Sequence, residues 1–341
     1  MSRMSRRERV VVDVPVRACD VGGWTDTWFA GHGRVCSLAV GPAVSVTATA
    51  TVGAGRVTVV APDLGSRFDV VATPSEHRLL AEAVAEAGGP VAGRDVEVHV
   101  TSEVPPGSSL GTSASVCVGV IAALDALRAG DIRSPVDLAA AAHRVETERV
   151  GGQSGVQDQL AAAHGGANRI EVDYPRATVT PIELAPDVRT ALDVRLLHVA
   201  YGGGHDSSAV HRQVIADMEA QGPGSAQLQR LAELASAAVA ALASGDLAAW
   251  GLVLTAATEA QRALHPQLIS ADAQRIIDLA AAEGSLGWKV NGAGGAAGSI
   301  SVLCRDECAR RRLGSATSAL GHRPLALQIV DRGALVVPAP G

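Results

Sequence analysis

Only Lys289 among the chain's 29 basic residues is a lysine; the rest are arginines. No block of basic residues stands out after the first ten positions and the formal net charge is −6, which argues against nucleic acid as a partner. Aromatics are scarce at 2%, yet Trp24, Trp28 and Phe29 share one segment and Trp288 adjoins Lys289. No apolar run reaches the length of a membrane span. The basic stretch Met1–Arg9 has no apolar region behind it, so it does not read as a secretory signal. Cysteines are five, odd in number and scattered (Cys19, Cys36, Cys117, Cys304, Cys308), which fits no disulfide framework. Cys304 and Cys308 lack a second ligand pair, so free thiols in a reducing cytoplasm are expected instead of zinc. A chain of 341 residues with 47% hydrophobic content has ample material for one large domain or two ordinary ones.

What is present centres on Pro-Pro-Gly-Ser-Ser-Leu-Gly-Thr-Ser-Ala-Ser at residues 105–115. Before it, Val96, Val98 and Val100 alternate with Glu97, His99 and Thr101, a strand pattern. After it, the apolar run Val116–Leu127 predicts a helix. A strand, a glycine-rich turn and a helix start is a way to hold phosphate, because the first helical N–H groups lack partners and the helix dipole favours an anion there. Gly107 and Gly111 allow close backbone approach, and Ser108, Ser109, Thr112 and Ser113 supply hydroxyls. No Gly-Lys-Ser/Thr follows, so this is not the P-loop of an NTPase.

Strands are expected at Val10–Val14, Val35–Val40, Val44–Thr51, Val57–Ala61, Val96–Thr101, Val194–Ala200, Ser299–Leu303 and Leu325–Val330. Helices are expected at Ser75–Ala87, Ser113–Leu127, Val136–Val150, Val156–Ala163, Ser207–Ala220, Ser225–Ala243, Leu247–Leu264, Ser270–Glu283 and Glu307–Leu320. The clusters are unequal and lack strict alternation, which points to an α+β fold in two domains meeting near residues 184–192. The division drawn is 1–187 and 188–341, with Pro338–Gly341 as a frayed end.

Three further segments carry chemistry. Residues 17–27 read Arg-Ala-Cys-Asp-Val-Gly-Gly-Trp-Thr-Asp-Thr. Glu146 is followed twelve positions on by Asp158, within Gly-Val-Gln-Asp-Gln-Leu-Ala-Ala-Ala-His-Gly-Gly. Near the end, Trp288-Lys289-Val-Asn is followed by the glycine-rich loop Gly292–Gly298.

Together these motifs, in this order, resemble the GHMP small-molecule kinases over roughly residues 11–303. Within that family the chain is similar to kinases of anomeric sugar hydroxyls, D-glycero-D-manno-heptose 7-phosphate kinase and L-fucokinase in particular. The resemblance implies a two-domain GHMP kinase fold: an N-terminal mixed α/β domain with the nucleotide loop and a C-terminal ferredoxin-like α+β domain. It implies ATP and Mg2+ as cofactors. Asp158 matches the carboxylate that takes the hydroxyl proton, and Arg17 the cation beside it. Pro106, Gly107, Ser108, Ser109, Leu110, Gly111, Thr112 and Ser113 match the nucleotide loop, and Ser113 and Glu146 the magnesium ligands. Asp26 matches a sugar-binding aspartate within Gly23-Trp24-Thr25-Asp26, while Gly292, Gly294 and Gly295 match the last motif. Proximity to the motifs adds Trp28, Tyr201, His205 and Asp206 as sugar contacts.

The chain departs from the fucokinase pattern where Trp28-Phe29 replace prolines, where Ala18-Cys19-Asp20 replace a more hydrophobic stretch, and where the last glycine series is short. The acceptor expected first is heptose 7-phosphate, since no pyrophosphorylase is fused to the kinase; a free sugar such as L-fucose is the alternative. A phosphorylated acceptor needs a second cation, for which Arg34, Arg169, Arg212 and Arg262 are candidates. A sugar-binding regulator on the same fold would have lost a catalytic group, and none is lost. Gly107-Ser-Ser109-Leu-Gly111 also fits a hydrolase elbow with His205 or His265, but Pro105-Pro106 interrupts the strand that would feed it. A small-molecule kinase without nucleic-acid or membrane partners, cytoplasmic, monomeric or homodimeric, is the resulting expectation.

Overall fold

The computed structural model describes residues 8–72, 77–202 and 208–337. In chain order its strands are β1 (Glu8–Val21), β2 (His32–Val52), β3 (Val57–Ala61), β4 (Ser66–Asp69), β5 (Arg94–Ser102), β6 (Ala167–Asp173), β7 (Arg176–Pro181), β8 (Leu196–Tyr201), β9 (Gly287–Val290), β10 (Gly298–Leu303), β11 (Arg323–Leu325), β12 (Gln328–Ile329) and β13 (Leu335–Val337). Its helices are α1 (Arg78–Glu86), α2 (Thr112–Ala129), α3 (Pro135–Arg144), α4 (Gln157–His164), α5 (Pro186–Arg195), α6 (Ser208–Gln221), α7 (Ala226–Ser244), α8 (Leu247–Leu264), α9 (Ala271–Ala282) and α10 (Glu307–Ala319).

Two sheets organise the chain. The larger runs β13-β1-β2-β5-β3-β4, with β6 and β12 also pairing β2, and β7 pairing β6. All its pairs are antiparallel except β3–β5. The smaller is antiparallel, ordered β11-β8-β10-β9. This is an α+β fold, as the uneven clustering of elements predicts. Helix α2 is apolar around most of its girth and buries Val118, Val120, Ile121 and Leu124 against β1 and β2, beside α3 and α4. The opposite face of the same strands offers Val16, Ala18, Leu38 and Val40 to α7 and α8, where Leu234, Trp250 and Leu254 fill the interior. A third cluster holds the smaller sheet against α9 and α10 through Val199, Ile276, Ile300 and Leu313.

Several boundaries differ from expectation. Val35–Val40 and Val44–Thr51 are one 21-residue strand, β2, carried across Gly41–Pro42. The segment Val136–Val150 is α3 followed by a single π-turn at Val145–Arg149, which rotates Glu146 towards the interior. The expected strand Leu325–Val330 is divided between the sheets: β11 ends at Leu325 on the smaller one, and β12 pairs Gln328 and Ile329 with β2. Strands β6 and β7 and helix α5 lie where no element was expected. The start of the helix expected at Ser75, and Pro338–Gly341, lie outside the described residues.

Candidate active site

Arg17 sits on β1 in a region where every residue from Val14 to Gly23 is buried. Its backbone N–H donates to the Leu110 carbonyl (3.0 Å), so β1 is stitched directly to the 105–115 loop. Its guanidinium makes a two-pronged contact with Asp158, Nε to Oδ1 at 2.8 Å and Nη2 to Oδ2 at 3.3 Å, and Nη1 donates to the Ser109 carbonyl. Burial opposes the charge of Arg17, and Asp158, Asp20 and Asp26 outweigh it, holding its pKa above the ordinary value. Asp158 lies in the first turn of α4 and keeps 24% of its side chain open. The loop and the carboxylate touch: a Cβ added at Gly111 would come within 3.0 Å of the Asp158 carboxyl carbon.

The loop itself is a run of tight turns that leads into α2. Gly107, Ser109 and Gly111 all have positive φ (78°, 55° and 74°), turning the chain sharply into α2. Gly111 precedes the helix in the left-handed region and no side chain caps it, so the first-turn N–H groups point outward beside exposed Ser113. Ser108 folds back instead, its hydroxyl donating to Pro105 (2.8 Å). Glu146, 9% exposed, faces the same helix start. Burial raises its pKa; hydrogen bonds from Ser113, Gln159 and Ser154 work in the opposite direction.

Two depressions flank this loop. One is lined by Arg17, Gly23, Trp24, Asp26, Trp28, Phe29, Ser154, Gln157, Asp158, Ile215 and Gly292, among others. Asp26 is 2% exposed and accepts from the Gln157 backbone N–H (3.1 Å) and its side-chain amide (3.3 Å). Burial lifts its pKa from 3.8 to about 6, with repulsion from Asp158 adding to the rise and the Gln157 N–H and Arg17 opposing it. Trp24, Phe29 and Trp28 form an aromatic wall, with ring centroids 6.5 Å and 5.1 Å apart for Trp24–Phe29 and Trp28–Phe29. The Trp24 indole N–H is buried with no hydrogen-bond partner among the described residues. The second depression is lined by Leu64, Leu79, Leu80, Val104, Pro106, Gly107, Thr112, Ser113 and Val116, with His77 stacked on Phe68 (5.1 Å) at its rim. Sequence reasoning named Pro106, Gly107, Thr112 and Ser113 but missed the rest of this lining, because Asp63–Leu64 and His77–Leu80 carry no motif and reach the loop only through the β3–β4 and α1 packing.

The remaining candidates separate into those at the cleft and those behind it. Gly23, Trp24, Asp26 and Gly292 line the cleft. Thr25 does not: it is buried, and its hydroxyl holds the turn by donating to Gly22 (2.7 Å). Gly294 and Gly295 are pressed against Leu268, where a Cβ on Gly294 would lie 2.2 Å from its carbonyl and the Gly295 N–H donates to it (2.9 Å). Tyr201 is buried behind Gly298, below the loop. His205 and Asp206 lie outside the described residues. Lys289 is neither exposed nor at the phosphate loop's surface: it is 3% exposed and donates to Gln261 (2.8 Å). His265, a candidate for the hydrolase reading, instead accepts from the Gln267 backbone N–H (3.3 Å).

Residues 77–166 match the model of the GHMP kinases N-terminal domain. The chain is also 30% identical, over 258 residues, to a galactokinase of Mycobacterium tuberculosis, covering 67% of this chain and 69% of that protein. It belongs to the GHMP kinase family. The match to the Mycobacterium bovis galactokinases spans half of those proteins' length. A bifunctional fucokinase/GDP-fucose pyrophosphorylase of Arabidopsis thaliana is 26% identical over 89% of this GHMP kinase chain and 30% of its own length. A D-glycero-alpha-D-manno-heptose 7-phosphate kinase of Campylobacter jejuni is 35% identical over 29% of each protein. Among solved structures, a D-glycero-D-manno-heptose 1-phosphate kinase from Bacteriodes thetaiotaomicron superposes with a TM-score of 0.72 at 18% identity, covering 97% of this chain and 100% of that one. The GHMP kinase fold is thereby shared over nearly the whole chain.

Proposed function

We propose that the protein is an ATP-dependent sugar kinase that phosphorylates an anomeric hydroxyl. The observation that carries this reading is the Arg17–Asp158 pair, placed between the phosphate-cradling loop and a cleft walled by aromatics and Asp26. Phosphoryl transfer needs alignment and charge neutralisation more than covalent chemistry, and the Arg17–Asp158 pair, lining one depression and bonded to the loop that lines the other, supplies the alignment. The apolar depression beside Pro106 and Thr112 suits a nucleotide base, leaving the triphosphate to the N–H groups of residues 111–114.

Asp158 is the base: it is the partly open carboxylate at the junction, and it is oriented by two guanidinium contacts. It takes the acceptor hydroxyl's proton as the oxygen attacks. Arg17 pairs with it through two contacts and fixes its direction. Ser113 and Glu146 suit magnesium, a hard ion that takes one or two protein oxygens alongside phosphates and water; bound there, it would neutralise triphosphate charge. Asp26 accepts sugar hydroxyls, and the Trp24–Phe29 wall packs on the sugar's apolar face.

The cleft favours an uncharged sugar. Two carboxylates and an aromatic wall face the acceptor, whereas Arg34 and Arg169 line a separate depression and Arg262 pairs with Glu259 (3.1 Å) and Gln274 (2.7 Å). Heptose 7-phosphate is the second reading, supported by the Campylobacter relative and by exposed Arg212 next to cleft residue His211. A screen of galactose, fucose, heptose 7-phosphate, homoserine and mevalonate with ATP, the product position read by NMR, tests both. Phosphate at C1 of a sugar is expected; turnover of homoserine or mevalonate alone, or no phosphoryl transfer, overturns the proposal.

A further inference from the structure

We propose that Asp20 is a positioning residue, clamping the Gly292 backbone against Arg17 so that the Arg17–Asp158 pair is aimed at the acceptor hydroxyl. The inference rests on the reading of Asp158 as the base. Its origin is a break in β1. The β1–β2 register slips between Ala18 and Val21, and Cys19 within the slip has φ of +55°. A side chain with a Cβ is uncomfortable in that region, and such strain persists only where surrounding structure holds it. The Cys19 N–H donates to the Asn291 side chain (3.0 Å), and Asn291 is held in turn by Ser299 and Ser301 (3.0 Å each). The bulge thus ties β1 to the strand ends that bear the glycine loop.

Asp20, wholly buried, uses the turn. Both its carboxylate oxygens accept from the single Gly292 N–H (3.0 and 3.1 Å), and Oδ1 lies 3.7 Å from Arg17 Nη1. The Gly292 carbonyl is held from the other side by Gln261 (3.0 Å), which also receives Lys289. Gly292 therefore cannot drift, and the space it occupies is critical: a Cβ there would meet the Ser109 carbonyl at 2.7 Å and Arg17 Nη2 at 2.9 Å. The loop is the back wall of the guanidinium, and Asp20 fastens that wall. A buried carboxylate is costly unless paired, and here it faces Arg17 on its own strand and Lys289 on β9. The same carboxylate also lies against Gly23 of the sugar-cleft turn, where a Cβ would come within 3.1 Å of Oδ2.

The test is a double-mutant cycle in steady-state kinetics with the sugar identified by the screen. Asp20→Asn should lower kcat about 10–100-fold with the KM for ATP within about twofold of wild type, because the nucleotide loop is untouched. In an Asp158→Asn background the same change should cost less than about twofold, since its effect runs through the pair already broken. Should Asp20→Asn fail to fold, Gly292→Ala takes its place; its Cβ would meet the Ser109 carbonyl as well as Arg17, so the same kcat loss and the same masking are expected together with a raised KM for ATP. Equal losses in both backgrounds, or full kcat in the single variants, overturn the inference. Full kcat in Asp158→Asn alone would instead overturn the base assignment beneath it.

Discussion

Asp158 and Asp26 line one cleft, and their surroundings give them different duties. Asp158 is partly open and guanidinium-bound, whereas Asp26 is buried and its pKa stands at about 6. Asp158→Asn should lower kcat about 10²–10⁴-fold and leave ATP binding near wild type by calorimetry, the usual weight of a positioned base. Asp26 predicts a pH signature in stability. Its folded pKa lies above the ordinary 3.8, so the native state holds the proton more tightly than the unfolded chain. That contribution is present below pH 4 and is lost as pH rises through about 6. Asp26→Asn keeps the buried contacts, because the Gln157 side-chain oxygen has no partner among the described residues and the amide can turn to meet the new N–H. The stability of wild type minus that of the variant, from urea unfolding, should fall by about 2 kcal/mol between pH 4 and pH 7. A flat difference would show that Asp26 titrates as an ordinary carboxylate.

At the scale of elements, the loop before α2 uses its glycines for different reasons. Gly107 has positive φ but open space around its Cβ position, so Gly107→Ala should cost only backbone strain, about 1 kcal/mol in chemical unfolding. Gly111→Ala adds contact with the Asp158 carboxyl at 3.0 Å, and should lower kcat as well as stability. Equal kinetic effects of the two would contradict a loop packed against the base. The loop, its strand and its helix were legible because local patterns define them: alternating valines, paired glycines, and an apolar run too long for a strand. Arg17, Glu146 and Asp158 were legible only as motif spacing, since an isolated acid on a helix is indistinguishable from a solvated one. What stayed hidden depends on tertiary packing. The π-turn that buries Glu146 leaves no period in the sequence, β6 exists through pairing with β2 and β7 through pairing with β6, and the Leu64–Leu80 lining of the second depression is assembled from three elements.

On the scale of the whole molecule, the chain closes on itself in a way that a division near residue 187 does not describe. Strand β13 pairs with Val11–Asp13 of β1, and β12 pairs with Val40 and Gly41 of β2, so the last described residues complete the first sheet. Val330 adds two backbone bonds, accepting from Gly166 (2.7 Å) and donating to Ala39 (3.0 Å). The helices that cover the outer face of β1 and β2, with Trp250 at their centre, also come from beyond residue 187. A fragment of residues 1–187 would thus expose Val16, Leu38 and Val40 together with an unpaired strand edge, a surface that aggregates in water. Expressed alone, it should be insoluble or lack a cooperative unfolding transition by circular dichroism. Co-expressed with residues 188–341, it should elute with that partner in size-exclusion chromatography and regain sugar phosphorylation, because the site draws Arg17 and Asp158 from one piece and Gly292 from the other. Cooperative unfolding of the isolated first fragment would mean that the shared interior is not needed for its stability, and the sheet completion seen here would lose its thermodynamic significance.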